Sequence, residues 1–183
     1  MTTTDDRPGV EERYLKASST SNLRVQADRR GDCDVLIAAG WSAKGLGGAL
    51  LRLAGEWDAA AKKPRGMSET DLIMLRGKLK SLSSTLAYLV EAMQRLGMAS
   101  PQARAGAIVG YWLHQACHTC HGLKFEAIMD TPVLSAVRCK SCHGTGLGWS
   151  PHGQDGRRML NLMDDSVSRA RNGIRDRLRQ YHK

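Results

Sequence analysis

Four of the five cysteines in this chain of 183 residues stand in two short repeats whose residue types could bind a metal ion. The repeats read Cys117-His-Thr-Cys120-His-Gly and Cys139-Lys-Ser-Cys142-His-Gly, and eighteen residues separate Cys120 from Cys139. Two thiolates in a tight turn can both reach one tetrahedral Zn²⁺ at about 2.3 Å, and a second pair completes the coordination. The spacing is typical of a structural zinc ribbon. It predicts one structural Zn²⁺ per chain, with Cys117, Cys120, Cys139 and Cys142 as ligands.

Other uses of these cysteines compete with a four-cysteine zinc site. Both pairs are followed by a histidine, and Cys-x-x-Cys-His is the attachment pattern of covalent haem. Haem attachment implies export, whereas the first thirteen residues are polar and charged and have no apolar core of a signal peptide. The same feature argues against a redox dithiol or a disulfide framework, because it favours a reducing compartment. A site of three cysteines and one histidine also stays open, and its candidates are His114, His118, His121 and His143.

The sequence offers no signature of an active site. Four cysteine ligands leave a metal ion without an open position for water. The chain has no His-x-Glu arrangement of a zinc deaminase, no phosphate-binding loop and no Ser-His-Asp signature. We therefore expect a protein without enzymatic activity.

Composition points to a helical, basic protein. Aromatic residues make up 5% of the chain, so the core must be built from Leu, Ala, Met and Val, which favours helices. No run approaches the eighteen apolar residues of a membrane span, and we expect no membrane partner. The formal net charge of +9 indicates polyanionic partners. Residues 138–183 concentrate this charge, with 10 Lys and Arg against 4 Asp and Glu.

The elements before the cysteines are read from their periodicity. Residues 1–31 have no sustained period and are predicted to form a disordered or loosely docked N-terminal arm. Residues 32–183 are predicted to form a single helical domain with the zinc module at 117–146. A short helix, capped by Asp32 or Asp34 and broken at Gly40, would include Cys33 as a small core residue. An amphipathic helix follows over 46–61.

A leucine-rich segment gives the clearest helix. Ser68 caps its first turn, and apolar residues from Leu72 to Leu96 then form a heptad seam over seven turns. The seam could pack within the chain, which we favour, or pair with a second chain to make a homo-oligomer through residues 72–96. A further helix from Pro101 to Ala116 leads straight into the first cysteine pair.

The last part of the chain carries the basic residues. Between the cysteine pairs, residues 123–137 fit two small strands or a loop, and 147–156 reads as a loop. Arg157–Met163 opens a helix, and a later apolar face runs from Val167 to Tyr181. The fold class is therefore mainly α: a helical bundle with an inserted four-cysteine zinc-ribbon-like module and a basic C-terminal helix. The basic residues of this region could meet the phosphates of nucleic acid or the carboxylates of an acidic partner surface, which arginine binds bidentately. The candidates for contact with DNA are Arg157, Arg158, Arg169, Arg171 and Arg175.

In their order along the chain, residues 32–165 resemble the lambda-type phage late antitermination proteins, the Q proteins. The resemblance rests on Asp34-Val-Leu-Ile-Ala-Ala-Gly40, the Gly45-Leu-Gly-Gly-Ala49 run, the leucine-rich helix, the helix leading into the cysteines, and Cys-x-x-Cys-His-Gly-Thr-Gly at Cys139–Gly146. In the family both cysteine turns tend to end in Gly-x-Gly. The first turn here departs from that pattern and reads His121-Gly122-Leu123.

The resemblance implies a transcription antitermination factor. Such a protein binds double-stranded DNA near a late promoter, loads onto the bacterial RNA polymerase holoenzyme in the host cytoplasm, and lets it read through terminators. It also implies a helix-turn-helix-like DNA-binding unit around the zinc module. An alternative is a protein-binding adaptor or co-chaperone, because zinc domains of the DnaJ family share Cys-x-x-Cys-x-Gly-x-Gly, although those usually carry four repeats and this chain has two.

Overall fold

The computed structural model describes residues 9–21, 31–42, 44–59, 77–128, 131 and 133–180. The described chain is mostly helical, with one two-stranded sheet. Its elements in order are α1 (Val10–Ser19), α2 (Asp32–Ser42), α3 (Gly45–Ala59), α4 (Leu82–Arg95), α5 (Pro101–Leu113), β1 (Phe125–Ala127), β2 (Leu134–Arg138) and α6 (Gly153–Gln180). Among the described residues, no helix combines the length and the apolar character that a bilayer span requires.

The chain divides into two compact units. The first contains the described residues of Met1–Leu89 and Leu162–Lys183, and the second is Val90–Asn161. The division falls within two helices, α4 and α6. The four paired cysteines and both strands belong to the second unit.

Helix α1 lies in the stretch for which the sequence predicted no regular structure. It packs against α2, and the side chains of Tyr14 and Ala17 are buried. Two serines near its end, Ser18 and Ser19, donate their hydroxyls to the Leu15 carbonyl one turn back. The apolar positions of this helix are too few to form a period that can be read from sequence, so it is tertiary packing that stabilises it.

Helix α2 begins at Asp32, which makes Asp34 a residue of its first turn, and its end differs from the predicted one. The Asp34 carboxylate accepts a hydrogen bond from the Gly31 amide at 2.9 Å, just before the helix begins. The helix continues through Gly40 to Ser42, so the expected break at Gly40 is wrong. One glycine inside a helix costs only about 1 kcal/mol relative to alanine, and the buried Val35, Ala38 and Ala39 offset that cost. Cys33 is half-buried and has a free thiol.

Helices α3 and α4 are joined through a side-chain contact that shortens the predicted leucine-rich helix. The Glu56 carboxylate of α3 accepts hydrogen bonds from the Ser81 amide at 2.9 Å and from the Ser81 hydroxyl at 2.8 Å. Residues 79–81 are not helical, and α4 begins at Leu82. The prediction of one uninterrupted helix through this point is therefore wrong. The cap at Ser68 and the seam residues before Arg76 lie outside the described residues.

Buried apolar side chains show where the helices pack. In the described part of the first unit they come from α1, α2, α3, α4 and α6, with Leu50, Leu53 and Ile174 fully buried. Gly47 of α3 lies so close to α6 that a Cβ atom there would stand 2.2 Å from the Ser166 carbonyl oxygen. The seam positions Leu89 and Met93 of α4 are also fully buried within this single chain.

In the second unit, α5 and the start of α6 flank the cysteines. Helix α5 begins at Pro101, as predicted, but it ends at Leu113 and the chain is extended from His114 onward. Arg104 of α5 forms an ion pair with Asp155 of α6 at 3.1 Å. The strands β1 and β2 pair in antiparallel fashion, which confirms the expectation of two small strands. Helix α6 is one continuous element of 28 residues, beginning earlier than the predicted Arg157.

Candidate metal centre

The structure brings all four predicted cysteine ligands together. The Sγ atoms of Cys117, Cys120, Cys139 and Cys142 all lie within 4.8 Å of one another, and the four residues are buried. Four sulfurs at 2.3 Å from one tetrahedral ion would stand about 3.8 Å apart, and Cys120 Sγ and Cys142 Sγ are 3.6 Å apart. The cluster could therefore hold a metal ion.

The two cysteine turns have the same backbone, and we call them the first knuckle (Cys117–Lys124) and the second knuckle (Cys139–Gly146). In the first, His121, Gly122 and Lys124 have φ of 50°, 86° and 71°. In the second, His143, Gly144 and Gly146 have φ of 52°, 85° and 79°. The departure of the first knuckle from the Gly-x-Gly pattern thus leaves the turn unchanged, because Lys124 adopts the left-handed conformation that Gly146 has in the other copy.

This shared backbone directs amide groups at the sulfurs. Cys142 Sγ accepts hydrogen bonds from the amides of Gly144 and Gly146, the latter at 3.3 Å. Cys120 Sγ accepts them from the amides of Gly122 and Lys124 at the equivalent positions. Amide donors stabilise a thiolate, which is the form of cysteine that binds metal.

The pKa values of the thiols show the balance between these donors and burial. The amide of Cys120, with further bonds from Thr119 and from the Ser141 side chain, lowers the pKa of Cys117 to about 6 against the opposing effect of burial. Burial raises the pKa of Cys142, but hydrogen bonds from the Gly146 amide, the Cys120 side chain, the Gly144 amide and the Cys139 side chain together outweigh burial, and the net shift is downward. Burial dominates at Cys120, whose pKa is raised.

Backbone pairing holds the two knuckles against each other. The Cys117 amide donates to the Gly146 carbonyl at 2.9 Å, and the Cys139 amide donates to the Lys124 carbonyl at 2.9 Å. Ala116 and Leu147 form an antiparallel bridge beside the first of these bonds. Each knuckle thus accepts a backbone hydrogen bond from the first cysteine of the other knuckle, and these bonds hold the two cysteine pairs side by side.

The geometry bears on the other uses of the cysteines. All five thiols are free in the structure, and the four clustered ones converge on one centre instead of forming two separate haem attachments. His114, His118, His121 and His143 are exposed. Within the described residues, the group that could hold a metal contains the four cysteines and no histidine.

The predicted DNA-contacting arginines all lie on α6, in different surroundings. Arg157 and Arg158 are exposed and belong to the second unit. In the first unit, Arg169 and Arg175 are exposed and donate to Ser166 Oγ at 3.1 Å and to Asn172 Oδ1 at 2.6 Å. Arg171 is half-buried and makes an interaction within the protein, so it is the least available of the five.

Trp149 is a surface residue that sequence reasoning did not single out. Its side chain is 76% exposed, yet its indole N–H donates to the Ser141 carbonyl of the second knuckle at 3.0 Å. Exposed apolar side chains surround the cysteine module more generally; they are Leu123, Phe125, Ile128, Val133, Leu134, Val137 and Leu147. A tryptophan three residues beyond a Gly-x-Gly turn is the signal that could have been noticed in the sequence.

Comparison of the chain with protein-family models, curated protein sequences and solved structures gives no match.

Proposed function

We propose that the four-cysteine cluster binds one structural Zn²⁺. Four buried cysteines whose sulfurs all lie within 4.8 Å of one another favour Zn²⁺ among common cellular cations, since hard cations such as Mg²⁺ and Ca²⁺ take oxygen ligands. All positions of a tetrahedral ion would then be occupied by protein, and the ion would stabilise the fold without catalysing a reaction. Elemental analysis of the purified chain tests this directly. One zinc per chain and no Soret absorbance are expected, and a Soret band or another metal would overturn it.

We further propose that the protein is a phage late antitermination factor that binds duplex DNA and engages bacterial RNA polymerase in the host cytoplasm. The family part of this proposal rests on the sequence resemblance. The single structural observation that supports it is the uneven distribution of charge on α6, which carries seven arginines against four aspartates.

The charge on α6 is available to a partner because the opposite face of the helix is buried. Met163, Val167 and Ile174 face inward, while Arg169, Arg175 and Arg179 are exposed in the same unit. The four aspartates cannot neutralise all seven guanidinium groups. Exposed guanidinium groups on one side of a helix suit the phosphates of a duplex, which they can bind bidentately.

The DNA-binding part is tested by the salt dependence of duplex affinity. Each phosphate neutralised lowers the slope of log K against log salt by about 0.9. We expect Arg169→Ala/Arg175→Ala and Arg157→Ala/Arg158→Ala each to reduce the slope by up to about 2, measured separately because they lie in different units. Lys78→Ala/Lys80→Ala, which removes two exposed cations far from α6 in sequence, is the matched control. Duplex affinity that does not depend on salt would overturn the proposal.

The antitermination part needs a transcription assay. A reconstituted bacterial polymerase on a template with a promoter-proximal pause and a downstream terminator is expected to read through more often when the protein is added. Read-through unchanged at protein concentrations that saturate the DNA would exclude this activity while leaving DNA binding intact.

A second candidate, a protein-binding adaptor or co-chaperone, is favoured by a different observation. The exposed apolar side chains cluster on the cysteine module, with Val133 and Val137 each more than half exposed. Such a surface could bind an extended apolar segment of another protein. Suppression of aggregation of an unfolded client, with no preference for DNA, would support this candidate over the first.

A further inference from the structure

The most exposed large apolar side chain among the described residues is also a fixed one. The ring of Trp149 is held by the hydrogen bond from its Nε1 to the Ser141 carbonyl. The backbone on its N-terminal side is held as well, because the Gly148 amide donates to the Gln115 carbonyl at 2.8 Å and the Gly148 carbonyl accepts from the Tyr111 hydroxyl at 3.1 Å. A tryptophan that is anchored yet exposed presents a rigid ring face to solvent and loses little conformational freedom on binding.

Three cations lie on or beside the second knuckle: Lys140 belongs to it, Arg138 precedes it, and Lys124 comes from the end of the first knuckle. The carbon chain of Arg138 passes over the second knuckle, so that a Cβ atom at Gly144 would be 3.1 Å from Arg138 Cδ. The Lys124 side chain covers Gly146 in the same way, with its Cγ 3.1 Å from the equivalent position. Lys140 directly precedes Ser141, is 86% exposed, and has the Glu126 carboxylate at 3.5 Å. Within this group Glu126 pairs with Lys140 alone, so the three cations outnumber their carboxylate and the group carries net positive charge.

The fixed aromatic ring is bonded to the same knuckle that these cations adjoin, and this combination suits one class of ligand in particular. The bases of single-stranded nucleic acid have free π-faces that stack on aromatic side chains, while their phosphates pair with Lys and Arg. Bases inside a duplex are already stacked on one another and offer no such face. Charge complementarity therefore favours an unpaired polynucleotide over an apolar protein segment at this place.

We propose that the second knuckle binds unpaired nucleotides, with a base stacked on Trp149 and the flanking phosphates held by Arg138, Lys124 and Lys140. We call this surface the knuckle platform. The inference goes beyond the duplex binding proposed for α6 and does not depend on it, since it uses different residues. The same chemistry serves a single DNA strand and an RNA strand, so the experiment includes both.

The test measures the affinity of full-length, metal-loaded protein for two labelled oligonucleotides of about twelve residues, oligo(dT) and oligo(rU), by fluorescence anisotropy. Trp149→Ala is expected to weaken binding roughly 10- to 100-fold, and Trp149→Phe, which keeps a ring, less. Arg138→Ala is expected to reduce the salt slope by about 0.7, the value for one phosphate of a single strand. If oligo(rU) is bound more tightly, the natural ligand is RNA; if oligo(dT) is, it is a DNA strand.

Trp41→Ala is the matched control, because Trp41 is also an exposed tryptophan, 63% exposed, with the Arg177 guanidinium 5.9 Å from its ring centre. It is expected to leave single-strand affinity unchanged.

Full affinity in Trp149→Ala with metal content retained would overturn the proposal, and so would equal losses in Trp149→Ala and Trp41→Ala. No binding of either oligonucleotide by the wild-type chain would also overturn it and would leave the surface to a protein partner. Duplex affinity, measured alongside, is expected to be unaffected by Trp149→Ala, which separates failure here from failure of the duplex proposal.

Discussion

Lys124 and Gly146 occupy equivalent places in the two knuckles, four residues after Cys120 and Cys142, and their φ angles are 71° and 79°. The amide of each donates to the sulfur of that cysteine. A left-handed conformation costs an L-residue roughly 1–2 kcal/mol, and glycine escapes that cost. The chain accepts this strain at Lys124, where the turn is needed to direct an amide at Cys120.

The strain at Lys124 should not be tolerated at Gly146, because the space differs. A Cβ atom at Gly146 would stand 2.9 Å from the Gly122 carbonyl oxygen of the first knuckle. We expect Gly146→Ala to weaken metal binding and to destabilise the protein by about 2 kcal/mol, from backbone strain together with this contact. Competition with a metal chelator and thermal melting measure the two effects.

Gly106→Ala provides the control for that variant. Gly106 lies inside α5 with nothing within 4 Å of an added Cβ atom, so alanine is expected to leave metal affinity unchanged and to stabilise the helix by about 0.5–1 kcal/mol. Equal metal affinity in Gly146→Ala and wild type would mean that the knuckles can separate without loss of the site.

Replacing a cysteine of the cluster should lower metal content and melting temperature far more than replacing Cys33, which lies outside the cluster. In Cys142→Ser the cluster keeps three thiols, and because the binding energy of a structural zinc is also folding energy, on the order of 10 kcal/mol in small zinc peptides, we expect loss of stoichiometric metal and a much lower melting temperature. Cys33→Ser changes a half-buried thiol of α2 and should keep one metal per chain. Metal content by elemental analysis decides between them. Unchanged content and melting in Cys142→Ser would exclude this cysteine as a ligand.

The four-cysteine cluster was predictable from sequence because its determinants are local. Two residues between paired cysteines, followed by a glycine, define a turn whichever fold surrounds it, and all four sulfurs meet as that spacing predicts. The prediction that the histidines are not ligands rests on the same spacing. His121 and His143 lie within the two turns, with φ of 50° and 52°, and their side chains are exposed. The spacing could not predict the position of Trp149. Its indole N–H bonds to the Ser141 carbonyl only because the chain returns to the second knuckle after Gly146.

The helices were predictable where apolar periodicity is strong. They were not predictable where a contact with a residue distant in sequence determines where the helix begins. The apolar face of α6 is buried at Val167, Ala170, Ile174 and Leu178, as its spacing indicated. The start of α4 at Leu82 depends on Glu56, which is 25 residues from Ser81 in sequence. No local pattern records that contact. Helix α1 was not predicted because its burial also depends on another part of the chain, the helix α2 against which it packs.

Close packing of α3 against α6 gives a third prediction. An alanine Cβ at Gly47 would stand 2.2 Å from the Ser166 carbonyl oxygen, a backbone atom that can move only if a helix shifts. We expect Gly47→Ala to destabilise the first unit by about 1–3 kcal/mol, the usual cost of overpacking. Urea denaturation followed by circular dichroism measures it. Gly40→Ala, at an exposed helical site with no atom within 4 Å, should stabilise instead, and a loss of stability there equal to that of Gly47→Ala would contradict the packing argument.

The contact between Glu56 and Ser81 gives the last prediction. One carboxylate accepts both the amide and the hydroxyl of Ser81, at 2.9 and 2.8 Å, at the point where α4 begins. Glu56→Gln keeps the shape but removes the charge. Its Oε1 can still accept from the Ser81 amide, whereas its NH₂ group can only donate to the Ser81 hydroxyl, which loses its charged acceptor in a largely buried place. Hydrogen bonds to a charged group contribute about 1.5–3 kcal/mol, and we expect the variant to lose about that much stability in urea denaturation.

Asp58→Asn, an exposed carboxylate two residues along the same helix, is the control and should change stability by less than about 0.5 kcal/mol. If the two variants lose the same small amount, α4 does not depend on Glu56 for its start, and the leucine-rich segment is interrupted for another reason.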